Sequence, residues 1–122
     1  MEVVHAAQIR EHGGLPGLRD EGALESALAR PQQKWHYEKP GLPVLAAAYG
    51  YGLCRSHPFR DGNKRVAFVT MLVFLELNNQ SVDATDTEIV TLMTALAAGG
   101  VSEADLAAWL EKRIRHIRRN RL

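Results

Sequence analysis

Cysteine is almost absent from this sequence of 122 residues: only Cys54 occurs, within an apolar stretch. One cysteine cannot build a disulfide framework, so a disulfide-rich secreted scaffold is excluded and a reducing, cytoplasmic location is expected. The longest apolar run, residues 66–77, is about half as long as a membrane span requires. The first ten residues lack the basic and apolar regions of a secretory signal peptide. These absences favour a globular protein with no membrane partner.

Signals for β-strands are also scarce, since the chain has no long alternating run and no Asn-Gly hairpin turn. Helix signals are frequent, and hydrophobic residues make up 46% of the chain, which is typical of a globular protein. The length suits one domain, so we predict a single domain over residues 1–122. The predicted fold class is all-α: a compact bundle of about six helices around a buried central helix.

Capping and breaking residues place the first predicted helices. A helix is predicted at 2–12, and Asp20 is a good N-cap for the next helix, which Pro31 should end or kink. Residues 32–41 are a polar connector with aromatic residues, either a short helix or a loop. Pro43 suits the first turn of the helix that follows.

The later helices are placed in the same way. Pro58 disfavours a helical conformation for the residue before it, so the helix after Pro43 should end near Ser56. The stretch 63–79 is apolar nearly all round after its first three residues and is predicted to be the buried central helix. Two pairs with the spacing of capping boxes should begin the last two helices: Thr85 with Glu88, and Ser102 with Asp105.

Charge is unevenly distributed along the chain, whose net charge is +1. Residues 112–122 carry six cations and no acid, whereas the preceding residues carry nine cations and fourteen acids. One interpretation is a basic end of the last helix, stabilised by the helix dipole; a patch for nucleic acid is the alternative. Leu106, Leu110, Ile114 and Ile117 continue a helical apolar stripe into this segment, which favours a docked helix.

The motif loop 57–65, with the sequence HPFRDGNKR, lies between two apolar helices. It ends at a predicted helix start, where free N–H groups and the positive end of the helix dipole attract anions. Gly62 has no side chain, so an anion can approach the backbone closely. Lys64 and Arg65 oppose the dipole here and therefore require a negative partner. Asp61 alone could be that partner, or a bound polyphosphate.

Other residues of the motif loop suit phosphoryl transfer. Asp61 could ligate magnesium, which commonly takes one or two carboxylates together with water and substrate phosphate. His57 could accept the proton of an attacking hydroxyl. Phe59 has no polar role and is predicted to anchor the loop in the core. Each residue alone also suits an ordinary solvated turn, so the residues by themselves leave a nucleotide site and a turn as alternatives.

The motif loop resembles the Fic/Doc family motif, His-x-Phe-x-Asp/Glu-Gly-Asn-Gly/Lys-Arg, at every specified position. Residues 12–32, and the chain from about 74 to 110, resemble the corresponding parts of the Doc (death-on-curing) toxins of this family. The sequence pattern of a Walker loop does not match, because Gly62 is followed by Asn63 and not by Lys. The resemblance implies the compact helical fold of this family.

The residue after Asn63 distinguishes two branches of the family. Fic enzymes that transfer AMP typically have glycine there, whereas Lys64 is typical of Doc toxins. The resemblance to Doc implies an inverted ATP whose γ-phosphate passes to a threonine of elongation factor Tu, which arrests growth. Gly62 is the Fic-like choice where Doc can carry alanine, so AMP transfer is the alternative function. A non-catalytic helical module that binds nucleic acid is the second alternative.

The resemblance also implies roles for the motif residues. His57 would be the catalytic base, Asp61 would hold Mg²⁺ and Phe59 would anchor the loop. The phosphates of ATP would be bound by Gly62 through its amide, Asn63, Lys64 and Arg65. Residues 32–40 would lie near the cleft, where a family flap positions the target chain.

Partners follow from the same resemblance. The inhibitory Ser/Thr-x-x-x-Glu-Gly/Asn helix of many Fic proteins does not occur in this sequence. Restraint is therefore expected from a separate Phd-like antitoxin, whose disordered C-terminal segment would fold into a groove of the toxin. Nucleic acid is not expected as a direct partner.

Overall fold

The computed structural model describes residues 17–59 and 62–117. These residues form, in chain order, α1 (Glu21–Glu38), α2 (Leu42–Ser56), α3 (Asn63–Leu77), β1 (Gln80–Val82), α4 (Asp86–Ala97), α5 (Glu103–Arg113) and β2 (Ile114–His116). The all-α fold class is confirmed, with five helices in the described part of the chain against about six predicted. The helix predicted at 2–12 lies outside the described residues.

The hydrophobic core forms around α2, which packs against each of the other four helices. Small residues allow this close approach, and Ala46, Ala47, Ala48 and Gly50 of α2 are all buried. A buried leucine from each of α3, α4 and α5 joins the same hydrophobic cluster. The buried central helix of the bundle is therefore α2.

Helix α3 is less enclosed than its sequence predicts. It packs against α2, α4 and β1, and it buries Val66, Met71 and Leu75 on that side. On its outer side, Val73 is 44% exposed and Leu77 is 79% exposed. The prediction that this helix is buried all round is wrong for the outer side, because its packing partners leave that side open.

Helix α1 continues through Pro31 to Glu38. Of the two outcomes predicted for Pro31, an end or a kink, the end is wrong, and most of the connector at 32–41 is helical. A proline inside a helix removes one backbone hydrogen bond, and here its ring is buried against the core. The helix ends where Lys39 adopts a left-handed conformation with φ 47° and donates its N–H to the last-turn carbonyls.

The chain after α5 forms a strand and not a longer helix. Helix α5 ends at Arg113, and β2 pairs antiparallel with β1, with Ile114 opposite Val82. The predictions of a helix running into 112–122 and of a chain without strands are therefore wrong within the described residues, whereas 118–122 lie outside them. The pairing is extended by backbone bonds of 2.8 Å from Asp83 N to Arg113 O and from Ile117 N to Asn79 O. Ile114 packs against the core as a strand residue. An apolar stripe in the sequence therefore does not distinguish a helix from a strand here.

The other predicted helix starts are confirmed. Asp20 caps α1, a proline lies in the first turn of α2, and α2 ends at Ser56. Complete capping boxes begin α4 at Thr85 and α5 at Ser102. Across the described ranges, none of the helices combines the length and the apolarity that crossing a membrane requires.

Candidate active site

The motif loop joins the end of α2 to the start of α3. His57 is the C-cap of α2, and its backbone is left-handed, with φ 48° and ψ 55°. This conformation costs a non-glycine residue about 1–3 kcal/mol, so contacts with the rest of the protein must stabilise it. The His57 side chain lies at an exposed position, where a target hydroxyl could reach it. Arg60 and Asp61, the predicted magnesium ligand, lie outside the described residues.

Phe59 and Asn63 hold the loop together from the inside. The Phe59 side chain is 1% exposed and belongs to the hydrophobic core. The Asn63 side chain accepts a hydrogen bond from Phe59 N and donates one to Phe59 O, each of 3.0 Å. Asn63 is only 9% exposed, so its amide is used to shape the loop in this geometry. Its predicted role in binding phosphate would then be exerted through its backbone N–H.

The start of α3 has several features that suit an anion. Gly62 is its N-cap, with φ 76°, and makes no side-chain capping bond. By contrast, α1, α4 and α5 each begin with a side chain that accepts a backbone N–H. Lys64 and Arg65 are both exposed in the first turn of α3. The N–H groups of a helix start and two cations at one place suit the phosphates of a nucleotide.

The segment before α1 also contacts the motif loop. Arg19 Nε donates to His57 O at 2.7 Å, and its Nη2 donates to Ser56 O at 3.0 Å. The backbone N–H groups of Arg19 and Asp20 both donate to Pro58 O, at 2.8 and 3.0 Å. Arg19 was not predicted to contact this loop, because no spacing in the sequence connects a cation ahead of an N-cap to residue 57.

A groove of about 550 Å³ runs from the start of α3 along α4. Lys64 and Arg65 lie at its motif end, and apolar side chains make up most of the rest. Its lining residues are Lys64, Arg65, Phe68, Val69, Asp86, Ile89, Val90, Met93 and Thr94. An extended or helical peptide could therefore bind beside the cations of the motif loop.

Cys54 is not a candidate nucleophile. Its side chain is fully buried, and burial raises the pKa of the thiol, although the cations of Lys64 and Arg55 act in the opposite direction. A buried, protonated thiol reacts poorly, so His57 is the group that suits proton transfer here.

Residues 32–40 do not lie near the motif loop, contrary to prediction. Trp35 lines a separate groove with Phe74 and Asn78, at the end of α3 opposite to the motif. A helix of this length separates its two ends by roughly 20 Å. The aromatic segment therefore cannot be a flap over the start of α3.

The described side chains do not by themselves form a cluster of magnesium ligands. Among residues 17–59 and 62–117, no group of three or more His, Cys, Asp or Glu side chains could hold a metal ion. The fit of this site to magnesium therefore depends on Asp61, and its fit to phosphate depends on the start of α3.

Comparisons with known proteins agree with the motif. Residues 1–75 match the model of the Fic/DOC family. The chain is 34% identical over 110 residues to "Protein kinase doc" of Escherichia phage P1. The matched residues cover 89% of this chain and 86% of that protein. It is 40% identical over 75 residues to "Toxin Doc" of Mycolicibacterium smegmatis, covering 59% of this chain and 57% of that protein. With its complete motif at the turn between α2 and α3, the protein belongs to the Fic/Doc family.

Proposed function

We propose that this protein is a Doc-type toxin that transfers the γ-phosphoryl group of ATP to a protein hydroxyl. The proposed target is a threonine of elongation factor Tu, whose phosphorylation would arrest growth. The observation that carries the proposal is the exposed His57 at a loop that ends in a helix start with a glycine N-cap, Gly62, and two exposed cations. The similarity to "Protein kinase doc" and "Toxin Doc" supports the same activity.

The chemistry assigns one task to each part of the site. His57 would take the proton of the target hydroxyl as its oxygen forms a bond to the γ-phosphorus and the bond to the leaving ADP oxygen breaks. Lys64, Arg65 and the N–H groups at the start of α3 would bind the phosphate oxygens and balance their charge. Magnesium, held through Asp61, would neutralise part of the triphosphate charge when bound.

Lys64 supports phosphorylation over AMP transfer. Its side chain occupies the position where AMP-transferring members of the family have glycine, and it lies at the mouth of the groove along α4. A long cation there would fill space beside the helix start and favour an ATP that presents its γ-phosphate. Gly62 is shared with the AMP-transferring branch, so AMP transfer is the second candidate.

The groove along α4 supports a peptide partner for this site. Apolar residues such as Ile89, Val90 and Met93 line it, and two cations lie at its motif end. We propose that a Phd-like antitoxin folds a disordered C-terminal segment with apolar and acidic residues into this groove. Occupancy of the groove would then cover Lys64 and Arg65 and restrain the toxin.

Direct binding of nucleic acid is not part of the proposal. Arg113 stacks on the ring of Trp109, at 4.3 Å from its centroid, and pairs with Glu88 at 3.3 Å. Arg115 pairs with Asp83 at 3.7 Å. These cations of the basic segment therefore have acidic or aromatic partners within the fold.

Labelled ATP tests the proposed function. Purified protein is incubated with Mg²⁺, elongation factor Tu and ATP labelled at either the γ- or the α-phosphate. Transfer of the γ-label alone supports the kinase, transfer of the α-label indicates AMP transfer, and no transfer of either label contradicts the proposal.

Two histidine variants sharpen this experiment. His57→Ala should lose transfer and growth arrest but keep its helical circular dichroism, because His57 is exposed. His36→Ala is the matched control, since His36 is an exposed histidine near the opposite end of the molecule, and it should retain both activities.

A further inference from the structure

The segment Leu18–Asp20 makes contact with each residue at the end of α2 and the start of the motif loop. Leu18 forms an antiparallel bridge with Phe59, and the backbone N–H groups of Arg19 and Asp20 donate to Pro58 O. The Arg19 side chain binds the two residues before Pro58, since it donates to His57 O and to Ser56 O. Every backbone carbonyl from residue 56 to 58 therefore accepts a hydrogen bond from residue 19, two of them from its guanidinium.

The guanidinium is well suited to this position. The last carbonyls of a helix lack partners within the helix and carry the negative end of its dipole. A planar cation with a fork of donors can bind two such carbonyls at once, and bonds from a charged donor are the stronger ones. Here the two acceptors are the carbonyl of the C-cap residue His57 and the carbonyl just before it.

His57 needs such support because its backbone is left-handed. A relaxation of φ and ψ toward an ordinary region would rotate the Cα–Cβ bond and redirect the imidazole. The main-chain bonds to Pro58 fix the residue after His57, and the guanidinium fixes the His57 carbonyl itself.

We propose that Arg19 is a positioning residue for His57: its side chain holds the left-handed backbone that aims the imidazole at the target hydroxyl. Arg19 contacts no reacting atom, and it acts only through the carbonyls of residues 56 and 57. This inference rests on the proposed function, in which His57 is the base.

The bonds that hold the segment Leu18–Asp20 in place differ from the bonds of the Arg19 side chain to the end of α2. The Leu18 bridge, the two N–H bonds to Pro58 O and the Asp20 cap of α1 all use atoms other than the Arg19 side chain. Residue 19 is exposed, so shortening its side chain opens no cavity in the core. Arg19→Met keeps an apolar stem of similar length and removes only the guanidinium.

The first test is kinetic. In the labelled-ATP assay, Arg19→Met should lower kcat about 10- to 100-fold, with the KM for ATP within about 3-fold of wild type, because misplacing a catalytic group affects the transition state. Arg19→Lys should recover part of kcat, since one ammonium can still donate to one carbonyl. Arg115→Met, at an exposed arginine of β2, is the matched control and should keep wild-type kcat.

The second test does not need activity. The imidazole signals of His57 are assigned by their loss in His57→Ala, and their positions and pH titration are measured by NMR in each variant. They should shift or broaden in Arg19→Met and stay unchanged in Arg115→Met. If the wild-type protein transfers no label, the proposed function fails, and the NMR signals still test whether Arg19 holds His57.

Two results would overturn the proposal: unchanged kcat together with unchanged His57 signals in Arg19→Met, or a raised KM for ATP with unchanged kcat. If Arg19→Met does not fold, Arg19→Lys takes its place, because it keeps a cation at the end of α2.

Discussion

At the scale of single residues, the side chains of the motif loop fall into an exposed group and a buried group. His57, Lys64 and Arg65 are exposed, whereas Phe59 and Asn63 are buried. The Asn63 amide both accepts from and donates to the Phe59 backbone, which holds the loop between His57 and the start of α3. The motif therefore specifies a shape as well as a set of reactive groups.

The Asn63 clamp leads to a stability prediction. Asn63→Ala removes two buried hydrogen bonds and should lower the free energy of unfolding by about 1–3 kcal/mol. Asn63→Asp can still accept from Phe59 N but cannot donate to Phe59 O, so it should restore only part of that loss at most. Urea unfolding followed by circular dichroism measures both variants. Wild-type stability in Asn63→Ala would contradict the clamp.

At the scale of helices, α2 brings the others together because its side chains are small. A methyl group at Gly50 would lie 2.8 Å from Met71 Cγ and 2.9 Å from its Cε, in a core where Met71 is fully buried. Gly22, in contrast, lies in the exposed first turn of α1, where a methyl group would be 3.4 Å from Asp20 Oδ1. The same substitution should therefore have opposite effects at the two glycines.

Gly50→Ala forces Met71 to move within a packed core, and it should lower the free energy of unfolding by about 1–3 kcal/mol. Gly22→Ala should raise it by about 0.5–1 kcal/mol, because alanine loses less backbone entropy than glycine in a helix. Denaturant unfolding of both variants gives the comparison. Equal effects would mean that α2 and α3 approach each other less closely than described.

The start of α4 gives a pH prediction. Glu88 accepts from Thr85 N at 3.3 Å and from Arg113 Nε at 3.3 Å, and the hydrogen bonds from Thr85, followed by that from Arg113, lower the pKa of its carboxyl. A carboxyl with a lowered folded-state pKa adds stability above its unfolded pKa of about 4.3, and this is lost as pH falls through the folded value. The stability advantage of wild type over Glu88→Gln should thus shrink as acid is added below about pH 4.3. Urea midpoints at several pH values measure it, and a constant difference would contradict the assignment.

At the scale of the whole molecule, a charge network joins the first described helix to the last one. Glu103, at the start of α5, accepts from Arg30 and lies 3.3 Å from Lys34, both on α1. Its side chain is 19% exposed, which reduces screening by water compared with an open surface pair. Both helices pack against α2, so this network ties together two of the helices that surround it.

Glu103→Gln should lower the free energy of unfolding by about 1 kcal/mol, because one carboxylate serves two cations and also lies at a helix start. The loss should be smaller at high salt, which screens charge pairs. Glu38→Gln is the matched control: Glu38 is 63% exposed and pairs with Lys34 at 3.7 Å, so its loss should cost about 0.5 kcal/mol or less. Urea unfolding at low and high salt compares the two, and a larger effect at Glu38 would contradict the network.

The local signals in the sequence were sufficient for the starts of the helices and for the motif. Asp20, Thr85 and Ser102 begin helices as predicted, because capping depends on residues within one turn of each other. The motif loop falls between two helices, as the proline at 58 and the glycine at 62 indicate. The motif that carries the family resemblance is nine consecutive residues long, and its recognition needs no long-range contact.

Tertiary contacts decided the features that the sequence did not reveal. Periodicity and capping act over a few neighbouring positions, so the helical class, the helix starts and the location of the motif between two helices follow from local sequence. Long-range packing places Ile114–His116 beside β1, Trp35 far from the motif, and the Arg19 guanidinium on the carbonyl of His57. Each of these depends on a partner at least thirty residues away in the chain, and packing against such a partner outweighs the weak local preference of the segment itself.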